Sequence, residues 1–155
     1  MQNFLKFRLV LCLGIISLAL GLGKCALADD IMLNDLNGRE VNFSAYQGKP
    51  VILFFWTTWC PYCQLELKKL SQQYPQMAKD EVILLGVDVG EPDYKVQRFL
   101  KGYALNFRIL LDRNELLVDK YDVIGVPTYV FLDKTGKAIA QYHSLPENYK
   151  SLLFK

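Results

Sequence analysis

The chain has 155 residues, 52% of them hydrophobic and 22% charged, with 18 Lys+Arg against 16 Asp+Glu and a formal net charge of +2. This length and apolar content suit one domain around one core. The near-even charge offers no basic patch to hold DNA or RNA, so nucleic acid is not an expected partner.

Residues 1–28 read as a secretory signal peptide. Lys6 and Arg8 give a positive start, residues 9–23 are an apolar and small-residue run with one serine, and Ala26-Leu27-Ala28 is an A-x-A cleavage site. The run of about 15 residues is short against the roughly 20 that a membrane span needs. An uncleaved anchor is the alternative, and with Lys6 and Arg8 inside it would also leave the domain outside the cytoplasm. The expected location is therefore periplasmic or otherwise extracytoplasmic, touching a membrane only through such an anchor. Lys24 makes Cys25 a poor lipoprotein signal. Cleavage after Ala28 removes Lys6, Arg8 and Lys24 and turns the net charge to about −1. It also removes Cys12 and Cys25, leaving Cys60 and Cys63. The remaining residues, 29–155, show no repeat, linker or low-complexity tract and read as one domain.

In chain order, two short strands are expected at about 31–35 and 40–43, around the hairpin signal Asn37-Gly38. The run Val51–Trp56 is apolar throughout, as in a strand covered on both faces. A helix over 61–79 should turn Leu65, Leu67, Leu70, Tyr74 and Met77 inward and Lys68, Lys69, Gln72 and Gln73 outward. Pro61 suits its first turn, and Pro75 should kink or end its first part. A buried strand follows over 82–87, ending at Asp88. A helix is expected over 92–103 with Val96, Phe99 and Leu100 inward, then a short strand over 107–111 and a helix over 114–121. Strands over 128–132 and 138–142 flank the turn Lys134-Thr135-Gly136-Lys137, and Pro146 starts a last helix to about 154. This order implies an α/β sandwich with a mixed central sheet.

The chemistry concentrates in Trp59-Cys60-Pro61-Tyr62-Cys63. A strand turning directly into a helix places Cys60 at the helix N-terminus, where free N–H groups and the helix dipole favour a thiolate. Cys63, one turn on, can close or open a small disulfide ring with it. The pattern reads as thiol–disulfide exchange. A purely structural disulfide across so short a ring would stabilise little. A metal clip needs more ligands than two thiols, and the one histidine, His143, is far off in sequence and reads as a surface or edge-strand residue. No metal or diffusible cofactor is expected.

Four stretches carry a resemblance: Gly48-Lys49-Pro50-Val51, Phe55-Trp56-Thr57-Thr58-Trp59-Cys60, Tyr121-Asp122-Val123-Ile124-Gly125-Val126-Pro127-Thr128, and Phe131-Leu132-Asp133-Lys134-Thr135-Gly136-Lys137. Over about residues 30–145 the chain resembles the thioredoxin superfamily, and within it the TlpA/ResA/CcmG-like extracytoplasmic thiol–disulfide oxidoreductases. The resemblance implies a thioredoxin fold, a mixed central sheet flanked by helices, with an N-terminal hairpin and a strand–helix insertion over 88–112. It implies a cis Val126–Pro127 bond facing the cysteines, with the Val126 backbone offered to an extended substrate segment. It assigns Glu66, three residues after Cys63, to proton transfer; the bland alternative is an exposed Glu paired with Lys69. Phe54 stands where thioredoxin carries a buried Asp. Trp59 and Tyr62 read either as local packing or as a platform for partner proteins.

The implied activity is reduction of protein disulfides, among them the C-x-x-C-H disulfide of apocytochrome c, with a membrane thiol carrier restoring the reduced state. Pro61-Tyr62 is more typical of glutaredoxins, so the potential does not carry over and a disulfide-donating oxidase is the first rival. A non-catalytic binding or metallochaperone module is the second. A peroxiredoxin-type peroxidase would place a lone cysteine after a Thr-containing loop, which this chain does not do.

Overall fold

The apolar run Val51–Trp56 forms strand β3, and all six of its residues are buried. In the computed structural model, which describes residues 31–154, this strand lies inside a seven-stranded sheet. The signal segment assigned to 1–28 lies outside the described residues. The other strands are β1 (Met32–Asp35), β2 (Glu40–Asn42), β4 (Ile83–Val89), β5 (Arg108–Asp112), β6 (Thr128–Leu132) and β7 (Ala138–Tyr142). Their order across the sheet is β2-β1-β5-β4-β3-β6-β7. β3, β4 and β5 run parallel; β6 joins β3, and β1 joins β5, antiparallel. β2 and β7 close the two edges as antiparallel hairpin partners.

Successive side chains of β3 point to opposite faces, which divides the core in two. Ile52, Phe54 and Trp56 pack with Leu67, Leu70 and Met77 of helix α1 (Pro61–Lys79), Val96 of α2 (Asp93–Leu100) and Leu153 of α4 (Tyr149–Leu153). Leu53 and Phe55 face the other way, onto Leu117 of α3 (Leu116–Lys120) and Phe43 of a short 3-10 turn. Coverage of both faces explains why the central strands are apolar at every position rather than alternating. Among the described residues, no helix is long and apolar enough to cross a membrane.

Pro75 does not end its helix: α1 runs through it to Lys79. Proline at 75 cannot donate to the carbonyl of Ser71, four residues back. That carbonyl accepts instead from Asn106 Nδ2 at 3.1 Å, and Ser71 Oγ donates to the Ala104 carbonyl at 2.7 Å. The loop after α2 thus supplies the donor that proline lacks. Leu65 is a second departure, 55% exposed rather than in the core. The buried stripe is Cys63, Leu67, Leu70 and Met77, spaced by three, four and seven. Leu65, two residues from Cys63, falls about 200° round the helix from it.

Boundaries shift where a side chain caps. α3 begins at Leu116, later than expected, because the buried Asp112 carboxylate accepts from Leu116, Leu117 and Val118 N–H at 2.8, 2.9 and 3.2 Å. At Asn37-Gly38 the turn is held by Asp35 Oδ1, which accepts from Asn37 and Arg39 N–H. Gly38 supplies the positive φ, +73°. α2 stops at Leu100 and α4 starts at Tyr149, both shorter than the periodicity suggested. β4 extends past Asp88 to Val89.

Candidate active site

β3 delivers the chain into a tight turn, and α1 starts at Pro61 with Cys60 as its N-cap. Cys60 has extended backbone, and its Sγ accepts from Cys63 N–H at 3.2 Å. The first-turn N–H that a helix leaves unpaired is therefore aimed at the sulfur. Cys60 and Cys63 are joined as a disulfide with their Cα atoms 5.2 Å apart. Cys63 is fully buried and Cys60 nearly so, at 5% exposure. Of the pair, only Cys60 keeps any exposed surface.

Opposite it lies the loop before β6. The Val126–Pro127 bond is cis, and the Val126 carbonyl oxygen is 3.9 Å from Cys60 Sγ. Thr128 Oγ1 donates to the Gly125 carbonyl at 2.6 Å and holds this loop from within. His143 holds it from outside: its Nδ1 lies 3.0 Å from Pro127 O and 3.2 Å from Thr128 Oγ1. The one hydroxyl proton of Thr128 goes to Gly125, so Nδ1–H is the donor to both oxygens. His143 is exposed just past β7, where an edge-strand reading places it, yet it ties that edge to the loop facing the disulfide.

The rim of the pair is apolar and open. Trp59 is 66% exposed and Tyr62 73%, so neither ring is spent on local packing. Leu65 and the fully exposed Ile124 extend the same rim. Val126 lines grooves on both sides, one with Trp59, Gly125 and Ile124, the other with Tyr62, Leu65 and Glu66.

Glu66 combines the two readings made of it. Its Oε1 accepts from Lys69 Nζ at 2.7 Å on the helix surface. Its Oε2 accepts from the hydroxyl of Tyr129 at 2.6 Å. Tyr129 is wholly buried on β6 and packs against Phe54, ring centroids 4.8 Å apart. Burial, and then Glu66, push the Tyr129 phenol well above its ordinary range. Glu66 is thus a half-buried carboxylate reaching toward the residue that stacks on Phe54.

A second group of acids was not singled out from sequence. Asp88, next to last in β4, is 1% exposed; Glu91, just beyond the strand, is 5% exposed. Glu91 accepts from Thr58 N–H at 2.5 Å, Thr58 Oγ1 at 2.8 Å and Lys95 Nζ at 2.5 Å. The partner Thr58 is 33 residues away in the chain, so no local pattern announced the contact. The one sequence signal was an acid ending an otherwise apolar strand. Among the described residues, no three His, Cys, Asp or Glu side chains are grouped to hold a metal ion.

The strand order and the helix leading out of Cys60 are those of the thioredoxin fold. The AhpC/TSA family model matches residues 25–143, and the chain belongs to that family. It is similar to the thiol-disulfide oxidoreductase ResA of Geobacillus thermodenitrificans, 41% identical over 110 residues, which are 71% of this chain and 63% of that protein. The ResA of Bacillus subtilis is 36% identical over 112 residues, 72% of this chain and 63% of the relative. The match thus spans just under two thirds of the length of these relatives. Among solved structures, StoA from Bacillus subtilis superposes with a TM-score of 0.67 at 28% identity, covering 79% of this chain and 94% of that one. A secreted Mycobacterium tuberculosis disulfide oxidoreductase homologous to E. coli DsbE gives a TM-score of 0.66 at 28% identity, covering 79% and 92%.

Proposed function

We propose that this chain is a thiol–disulfide oxidoreductase that reduces disulfides in protein substrates outside the cytoplasm. The observation that carries the reading is the asymmetry of the pair. Cys60 Sγ accepts a helix N–H and faces the Val126 loop, while Cys63 is sealed beneath it. In the reduced protein the Cys60 thiolate attacks a substrate disulfide, forming a mixed disulfide and expelling one substrate thiolate. Cys63 then gives up its proton and attacks Cys60, which expels the second substrate thiolate and leaves the Cys60–Cys63 disulfide. Glu66 is the group that would take the Cys63 proton, supported by its half-buried place three residues on and its bond to Tyr129. The substrate segment lies extended along Val126 and Pro127, with Trp59 and Tyr62 against its flanks.

The similarity to ResA and to DsbE homologues supports a place in cytochrome c maturation, with the C-x-x-C-H disulfide of apocytochrome c as substrate and a membrane thiol carrier as electron source. Residues 1–28 would act as the signal peptide and 29–155 as the working domain. One of the solved neighbours is described as secreted, in keeping with this.

The test is trapping. Cys63→Ser should accumulate mixed disulfides through Cys60, and Cys60→Ser should trap none; the opposite pattern would reverse the assignment. Direction is read from the potential of the couple against glutathione. A reductase should lie at about −270 mV, and a value of about −120 mV would mark a disulfide donor.

A further inference from the structure

Beneath the turn that delivers Cys60 lies a pair of buried carboxyl groups that the exchange steps do not use. Asp88 sits beside Trp56 across the β3–β4 ladder. Alternation along β4 puts its side chain on the face of Leu84, the one that carries Trp56, Cys60 and Cys63. No N–H or hydroxyl donor makes a well-formed hydrogen bond to either oxygen of Asp88, whose carboxyl meets that of Glu91 instead, and the indole Nε1 of Trp56 in register with it is also unpartnered. Glu91 is the opposite case, with three donors on one carboxylate, two of them from Thr58. The Thr58 carbonyl in turn accepts from Gln64 Nε2 of α1 at 2.9 Å. The peptide two residues before Cys60 therefore hangs between Glu91 and the helix.

The charged groups acting on Asp88 are Glu91 and Lys95. β3 and β5 place uncharged Trp56 and Leu111 in register with it. Burial first, then Glu91, push its carboxyl up to about 8. Burial acts the same way on Glu91, but the Lys95 ammonium and both Thr58 donors outweigh it and hold that carboxyl below its ordinary range. Two buried carboxylates this close cannot both ionise cheaply, and one ammonium matches only one of them.

We propose that Asp88 is a positioning residue of the exchange site: while protonated it leaves Glu91 as the single buried anion that fixes Thr58, and losing that proton loosens the Glu91 clamp and the placement of Cys60. This rests on Cys60 being the attacking thiol. The clamp itself can be tested in the oxidised protein, where no thiol titrates. The Thr58 amide resonance, followed by NMR from about pH 5 to 10, should shift through one inflection near pH 8 in the wild type and stay level in Asp88→Asn. In reduced protein, the alkylation rate of Cys60 should keep rising with pH in Asp88→Asn and fall behind it in the wild type, by about tenfold at pH 9. A level Thr58 titration in the wild type, needing no variant, overturns the proposal. So does an unchanged inflection in Asp88→Asn, or superimposable alkylation profiles. If Cys60 proves not to be the nucleophile, the trapping experiment fails while the Thr58 titration still stands.

Discussion

Asp88 shows how one side chain can make stability depend on pH in an unusual sense. Its folded carboxyl holds its proton up to about 8 against an ordinary 3.8. Between those values the folded state binds more protons than the unfolded chain, so stability falls as pH rises. The contribution is whole below about pH 4 and is lost as pH climbs through about 8. Asp88→Asn should therefore match the wild type near pH 4 and exceed it at pH 8.5 by on the order of 1–3 kcal/mol. Urea unfolding at the two pH values measures this; a constant difference would remove the buried-acid explanation. Glu66 makes a different prediction. Glu66→Gln keeps a partner for Tyr129 and should fold normally, yet shift the pH profile of thiol alkylation and disulfide reduction between about pH 5 and 10. Profiles that superimpose would leave Glu66 as the helix-surface partner of Lys69 and nothing more. The sequence reached Glu66 by position alone. It could not reach Glu91, whose role exists only because Thr58 is brought to it.

At the scale of elements, α1 is the part on which the site depends, since its first turn carries both cysteines and its later turns anchor it on the sheet. Its continuity past Pro75 depends on Asn106, a residue outside the helix. Asn106→Ala should destabilise by about 1 kcal/mol. In a Pro75→Ala background the backbone at position 75 regains an N–H that can donate to Ser71 O itself, so the same change at Asn106 should cost clearly less. A double-mutant cycle in denaturant measures the coupling, and additive effects would disprove it. The central strands and the extent of α1 were legible because their signals are local: a six-residue apolar run, a proline at the first turn, a three-four spacing of apolar residues. The ends of α2, α3 and α4 were not, because capping by Asp112 and the close of each helix depend on what the next loop packs against.

For the whole molecule, the sheet order gathers stretches remote in sequence at one end of the strands: the turn before α1, the turn after β4 and the loop before β6. Around Cys60 they expose Trp59, Tyr62, Leu65 and Ile124. Four large apolar side chains exposed around one sulfur form a patch of the kind that protein interfaces use, in keeping with the proposed protein substrates. Replacing Trp59 and Ile124 together by Ala should raise KM for a protein disulfide about tenfold and leave the rate with a small aromatic disulfide unchanged. Equal losses on both substrates would assign these residues to the structure of the site instead.

What the sequence determined by itself is the chemistry and the scaffold: a cysteine pair on the first turn of a helix, buried strands, and a proline loop whose family likeness foretold the cis bond beside the pair. These follow from residue types at short spacings. Tertiary structure alone decided which side chains surround that pair. Leu65 went to the rim because the helix had to turn Cys63 inward. His143 became the outer tie of the Pro127 loop, and Asp88 with Glu91 became the buried support of Thr58. The placements of His143 and of Glu91 depend on contacts between residues 15 or more apart, set by strand order and register, and such contacts leave no periodic trace in the chain.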